Sequence, residues 1–545
     1  MMHSSYRYVV ALLAGALLLF ATRADAGGNN VVVSVQGGNL VLEGDAFDDV
    51  ITIDQVGLAT DQFRVTPAPG TTVNSGVVAA TFGGVTGNVT ATLGAGDDQL
   101  TINAAALPGA LFVDGGDGND TVQIMGSAVA KAVTLDLGDG VNNVATSAGA
   151  AIMGNLVVAG GRDFDGVSLT NTAVDGVAKL VLGEGGANVT VTTSGIGKDL
   201  SIVGGSGFES VGLTGTSVIG AVKLTLKDGG ASVSLTGTGV SKDVSVTGGA
   251  DFESISITNC GISGGLKLAL KDGGAAVTIS GGGVTKNLTL TGGADFESVS
   301  IMNTGISGAA KLALKDGGAS VSISGSGITK NLTITGGADF ESVSIMNTGI
   351  SGAAKLVLKD GGAAVSMSGS GVTKNLTLTG GVDFESVSIA NSGISGTSKL
   401  ALKDGGAAVT ISGTTMNKNL TVSGGKGAET VTLDACGVSG SAKLALADGD
   451  NLVSVQGGTG ILGDLAVSGS NGKDSATLKE NSLVHGNATI SLGEGMNTVL
   501  VNTAGVDGDL TIKTGDGDDT ITLTGQTVGG ATKINHGGGT DSVTM

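Results

Sequence analysis

Valine, isoleucine and leucine alternate with serine, threonine and lysine in short runs along this chain, and the runs themselves return every 22 residues. Val277, Val299, Val321, Val343, Val365, Val387 and Val409 are each 22 apart, with a second apolar residue two places on at Ile279, Ile301, Ile323 and Ile345. Another aliphatic stands seven residues after each such valine (Val284, Ile306, Ile328, Ile350), and a third stands thirteen after it (Leu290, Leu312, Ile334, Leu356). Residues two apart share one face of a strand, so every unit offers three inward-facing segments. A unit this short cannot bury an apolar face alone and must stack on its neighbours. The pattern therefore predicts an all-β fold: a single-stranded parallel β-helix, or β-solenoid, of about 20 coils of 22 residues. At ~4.8 Å per stacked strand it is a rod roughly 100 Å long. The general rule for parallel crossovers makes it right-handed. Three inward segments per coil suggest a triangular section, and a flatter two-sheet coil with the middle segment as a corner is the alternative.

A second period of 44 residues overlies the first. Phe164, Phe208, Phe252, Phe296, Phe340 and Phe384 are each 44 apart, inside variants of Gly-Gly-Ala-Asp-Phe-Glu-Ser. Outward positions of the third segment alternate Lys267, Thr289, Lys311, Thr333, Lys355, Thr377 and Lys399, so like charges lie roughly 10 Å apart, about a Debye length at physiological salt. Two coil types that let charge and bulk alternate explain the doubling, with each Phe facing a small residue in the next coil. The double repeat is regular from about residue 160 to 447.

Either side of that array the pattern changes. Residues 1–26 read as an export signal: Arg7, an uncharged apolar run from Val9 to Ala21, and Ala24-Asp25-Ala26 as a cleavage site. Residues 27–87 are irregular, with Pro67 and Pro69 in a loop, and suit an N-terminal cap over the open end of a solenoid. The repeat domain spans 88–545. Its last residues, Val543-Thr544-Met545, fall within a leading strand, and an uncapped coil is a template for self-association.

Composition narrows the partners. A net charge of -20 disfavours nucleic acid and anionic membrane surfaces and fits cation binding. No later segment is long and apolar enough to span a membrane as a helix. Cys260 and Cys436 are 176 residues apart, the same coil position eight coils on, so a disulfide between them is out of reach and each reads as a small buried stand-in for the Thr or Ser of other coils. Beyond the signal there are two histidines, His485 and His536, and two arginines, Arg64 and Arg162. Neither a histidine metal cluster nor a Ser-His-Asp arrangement stands out, so an enzyme is not expected.

One turn carries a recognisable motif. Gly115-Gly116-Asp117-Gly118-Asn119-Asp120-Thr121-Val122-Gln123 resembles the nine-residue repeat of the hemolysin-type (RTX) calcium-binding proteins. Related turns lie at 94–98, 138–142, 515–519 and 537–541. The resemblance implies Ca²⁺ held between stacked turns, with Asp98, Asp117, Asp120, Asp139, Asp516, Asp519 and Asp541 as candidate ligands. In the central coils the key Asp is Glu (Glu253, Glu297, Glu341, Glu385) or Ala (Ala275, Ala319, Ala363, Ala407), which confines the calcium expectation to the end coils.

The expectation is an exported structural repeat protein at a cell surface, in an adhesin stalk or in extracellular matrix, secreted after cleavage behind Ala26. A calcium-binding RTX-like module is the alternative. An ice-binding protein, suggested by the Ser/Thr ladders, and a polysaccharide-active β-helix enzyme are lesser ones.

Overall fold

The computed structural model describes residues 29–545; the export signal expected over residues 1–26 lies outside them. Every regular element among the described residues is a strand, and the strands stack as a β-solenoid. From Val89 onward all pairings are parallel and join equivalent positions of successive coils, as in Val277↔Val299, Val299↔Val321 and Leu290↔Leu312. No helix among the described residues is long and apolar enough to cross a membrane.

Most coils contribute a leading strand, a two-residue middle strand and a four-residue third strand, for example Glu341–Met346, Gly349–Ile350 and Ala354–Val357. The three ladders form two sheets rather than three. Third strands make a 24-stranded sheet, and leading and middle strands together make a 42-stranded one. The leading and middle ladders are joined through the two coils in which both strands are continuous, Ala275–Val284 and Glu297–Ile306. Between them runs a column of left-handed residues four places after each leading apolar residue: Asn259, Gly281, Asn303, Gly325, Asn347, Gly369, Asn391 and Gly413, with φ between 49° and 60°. One such residue redirects the chain between the two strands without a loop. Asn and Gly adopt this conformation at least cost, and they alternate here throughout the central array, while Thr193 and Thr503 hold the same position at its flanks. Replacing Asn347 by Val is expected to cost about 1–2 kcal/mol in stability, whereas Asn347→Gly is tolerated; thermal melting of the two variants compares them.

Inward positions fill a continuous core. Val277, Ile279, Val284, Leu288 and Leu290 are all buried, as are their counterparts up and down the array. A column of hydroxyls follows the left-handed residue. Thr348 Oγ1 donates to the carbonyls of Ile323 (3.3 Å) and Met346 (2.9 Å), satisfying backbone acceptors where the chain turns. Cys260 and Cys436 occupy this column, are free and buried, and point their thiols at the carbonyls of Leu235 (3.3 Å) and Ile411 (3.1 Å). They replace Thr in kind.

Residues 29–87 differ. Antiparallel pairs join Val32–Gln36 to Asn39–Glu43, Ile51–Asp54 to Arg64–Pro67, and Phe63–Val65 to Ala80–Phe82. Two of these strands also lie parallel on the solenoid: Leu40–Glu43 pairs with Val89–Thr92, and Val50–Asp54 with Gln99–Asn103. The segment therefore supplies the first rung of the stack as well as the antiparallel strands beyond it.

Candidate functional site: a column of carboxyls at one turn

Two residues before each leading valine, the chain places a side chain that alternation turns inward. In the end coils this position holds Asp49, Asp98, Asp120, Asn142, Asp165, Asn451, Asp474, Asn497, Asp519 and Asp541; in the central array it holds Glu209, Glu253, Glu297, Glu341, Glu385 and Glu429, alternating with Ala. All of them except Asp541 are buried. Burying a carboxylate is costly unless it is hydrogen-bonded or neutral, so this turn is the chemically distinctive part of the fold.

The end coils satisfy the cost by stacking. Asp49 N–H donates to Asp98 Oδ1 (2.6 Å), Asp98 N–H to Asp120 Oδ1 (3.0 Å), and Asp120 N–H to Asn142 Oδ1 (2.8 Å). The far end repeats the scheme through Asp474, Asn497, Asp519 and Asp541. Each side chain thus reaches back one coil to hold a backbone donor. One oxygen of Asp98, Asp120, Asp474 and Asp519 has no hydrogen-bond partner. Burial pushes the Asp98 carboxyl up to about 7 and Asp120 up to about 6, helped at Asp98 by the charges of Asp120 and Asp49.

A second, exposed ladder runs the opposite way. Asp97 N–H donates to Asp48 Oδ1 (2.8 Å), Asn119 N–H to Asp97 Oδ1 (2.8 Å), and Val141 N–H to Asn119 Oδ1 (2.8 Å). The predicted ligands divide between these ladders and the surface beside them. Asp98, Asp120 and Asp519 belong to the buried column, which Asp541 continues while pairing with His536 (2.8 Å). Asp516 accepts Gly538 N–H (2.7 Å), Asp139 faces Arg162 (3.8 Å), and exposed Asp117 lends its carbonyl to Gly96 N–H (2.9 Å). Among the described residues no three His, Cys, Asp or Glu side chains converge as a ready metal site.

Comparison with known proteins finds no matching family model, curated protein or solved structure. The site is therefore read from its own geometry.

The central array solves the same burial differently, and the solution explains the 44-residue period. In one coil type the turn reads Gly292-Gly293-Ala294-Asp295-Phe296-Glu297, and in the other Leu270-Lys271-Asp272-Gly273-Gly274-Ala275. Glu297 folds back so that its Oε1 accepts Gly293 N–H (2.6 Å), and its carboxyl occupies the space a side chain at Gly292 would need: a Cβ there would lie 2.7 Å from the carboxyl carbon. In the alternate coil Leu270 is buried at the corresponding position and Ala275 stands in place of Glu. The corner is filled from one side by Leu and from the other by Glu, coil by coil. The Lys–Thr alternation is present in register on the outer face (Lys311↔Thr333), but the core is what requires two coil types. Each central carboxyl keeps one unpartnered oxygen, and burial pushes Glu209, Glu253, Glu297, Glu341 and Glu385 up to about 7 despite the glycine N–H.

The glutamates escape a motif-based reading because Glu in place of Asp looks like a lost calcium ligand. Their spacing did carry the signal: a residue two places before an inward valine is itself inward.

Proposed function

We propose that this chain is an exported structural repeat protein, a rigid rod that serves as spacer or scaffold at a cell surface or in extracellular matrix. The observation that carries the reading is the unbroken parallel register from Val89 to Thr544. Such a ladder transmits force through main-chain hydrogen bonds along its whole length. Small-angle scattering of the purified protein is expected to give a stiff particle roughly 100 Å long at ~4.8 Å per coil; a compact or flexible particle overturns the rod.

Calcium at the end coils is the second reading, favoured by the unpartnered oxygens of Asp98, Asp120 and Asp519 and by where the charge lies. The three central units 265–308, 309–352 and 353–396 each balance three lysines against three acids, as Lys267, Lys271 and Lys286 do Asp272, Asp295 and Glu297, so the net charge of -20 arises outside them. In that reading Ca²⁺ would replace backbone N–H groups as partner of the end carboxylates. Added Ca²⁺ is then expected to raise the melting temperature and EDTA to lower it, both effects being reduced in Asp98→Asn/Asp120→Asn and lost when Asp519→Asn is added; a melting curve indifferent to both reagents removes calcium and leaves the rod untouched.

A further inference from the structure

The central array exposes a row of aromatic rings that its core does not need. Phe208, Phe252, Phe296, Phe340 and Phe384 are each 55–56% exposed, and Phe164 is 42% exposed. They sit immediately before the buried carboxyls, so alternation turns them out of the solenoid. A singly exposed apolar residue is ordinary, but an aligned series of large ones marks an interaction surface. Six rings at every second coil make a ridge roughly 50 Å long at ~4.8 Å per coil.

Between the rings the same position is glycine: Gly186, Gly230, Gly274, Gly318 and Gly362, with φ between 70° and 89°. Their own conformation requires glycine, and the consequence is a notch between every two rings. One flank of the ridge is an uncharged column of small residues, Ser254, Ala276, Ser298, Ser320, Ser342 and Ala364; the other is a charged rim that includes Lys271, Asp272 and Asp295. An apolar centre with small neighbours and a charged border is the anatomy of a protein interface.

We propose that this edge is where the rod pairs side by side with a second, antiparallel copy of itself. A partner must match a two-coil spacing over ten coils, and a copy of this chain does so by construction. Under a two-fold axis that lies in the contact plane and runs across the rod, displacement by one coil sets every Phe of one copy over a glycine notch of the other. The same axis lays charged rim along charged rim and Ser/Ala column along Ser/Ala column, and the one-coil offset opposes the turn that carries Asp295 in one copy to the turn that carries Lys271 and Asp272 in the other. Phe side chains offering 150–250 Å², just over half of it exposed, give roughly 600 Å² per copy from six rings, near the ~800 Å² per partner of a standard interface once the flanking column is added.

This inference extends the rod reading by supplying its lateral contact, and its test is separate from particle stiffness. Sedimentation of the full chain across a range of concentrations is expected to show a monomer–dimer equilibrium. The quadruple variant Phe252→Ser/Phe296→Ser/Phe340→Ser/Phe384→Ser is expected to weaken it at least ~100-fold, since central aromatic truncations each cost more than 1 kcal/mol. A wild-type protein that stays strictly monomeric overturns the proposal, as does a dimer that survives the quadruple change. Phe296→Cys guards against misfolding: both native thiols are buried, so a bifunctional thiol reagent is expected to join two copies through this position. A folded Phe296→Cys protein that yields no joined species counts against the edge.

Discussion

The melting temperature of this protein is expected to fall as pH rises from about 4.5 through 7. The carboxyls of Glu209, Glu253, Glu297, Glu341 and Glu385 are buried and pushed up to about 7, from an ordinary value of 4.5 in the unfolded chain. Between those values the unfolded chain has released protons that the folded chain still holds, so each rise in pH favours unfolding. The stability these groups contribute is fully present below pH 4.5 and is lost as pH rises through 7. At 1.36 kcal/mol per unit, the effect is on the order of 1–3 kcal/mol per carboxyl. Thermal melts at pH 4.5, 6 and 8 measure it. Glu253→Gln/Glu297→Gln/Glu341→Gln/Glu385→Gln keeps the acceptor for the glycine N–H and removes the proton, so its melting temperature should vary much less over the same range. An equal slope in both proteins would show that the glutamate column is not its source.

The second large effect tests how the corner is filled. Gly292→Leu alone drives a side chain into the Glu297 carboxyl, and overpacking with displacement of a buried hydrogen-bonded acid is expected to cost about 3 kcal/mol or more. Glu297→Ala alone leaves a void and frees the Gly293 N–H, at roughly 2–3 kcal/mol. Together they convert this corner to the Leu270–Ala275 pairing already present one coil away, and most of both losses should return. A double-mutant cycle on chemical denaturation midpoints reads the coupling; simple additivity would show that the two positions do not share the space. Gly293 cannot be treated in this way, because a Cβ there runs into the Lys271 backbone carbonyl of the preceding coil.

Much of the fold was legible because stacking makes the sequence periodic in three dimensions as well as one. Each position n has its counterpart at n + 22 directly above it, so inward columns such as Val277, Val299 and Val321 are read by counting. The same counting placed Cys260 and Cys436 in one column and excluded a bridge between them. The left-handed column was visible as Asn259, Gly281, Asn303 and Gly325, yet its meaning depends on φ, which composition alone does not give. For the candidate site, counting put Asp98 and Asp120 in successive turns and two places before inward residues, but did not show which backbone donors their carboxyls meet. Nor did it show that the carboxyls of two ladders are directed to backbone donors in opposite directions.

The sequence by itself determined the coil length, the parallel register and the identity of the core columns, because period-2 alternation inside a 22-residue repeat admits one inward set. Only the tertiary structure decided where the chain turns between the leading and middle ladders, since that rests on the φ of one left-handed residue per coil. Only it showed why the repeat doubles to 44: Leu270 and Glu297 approach the same corner from opposite sides of a turn, and which of them fills it depends on a neighbour one coil away. It also showed how the acids that alternation turns inward are satisfied, Glu297 by the Gly293 N–H of its own turn and Asp120 by the Asp98 N–H of the coil before, which apolarity and spacing do not reveal.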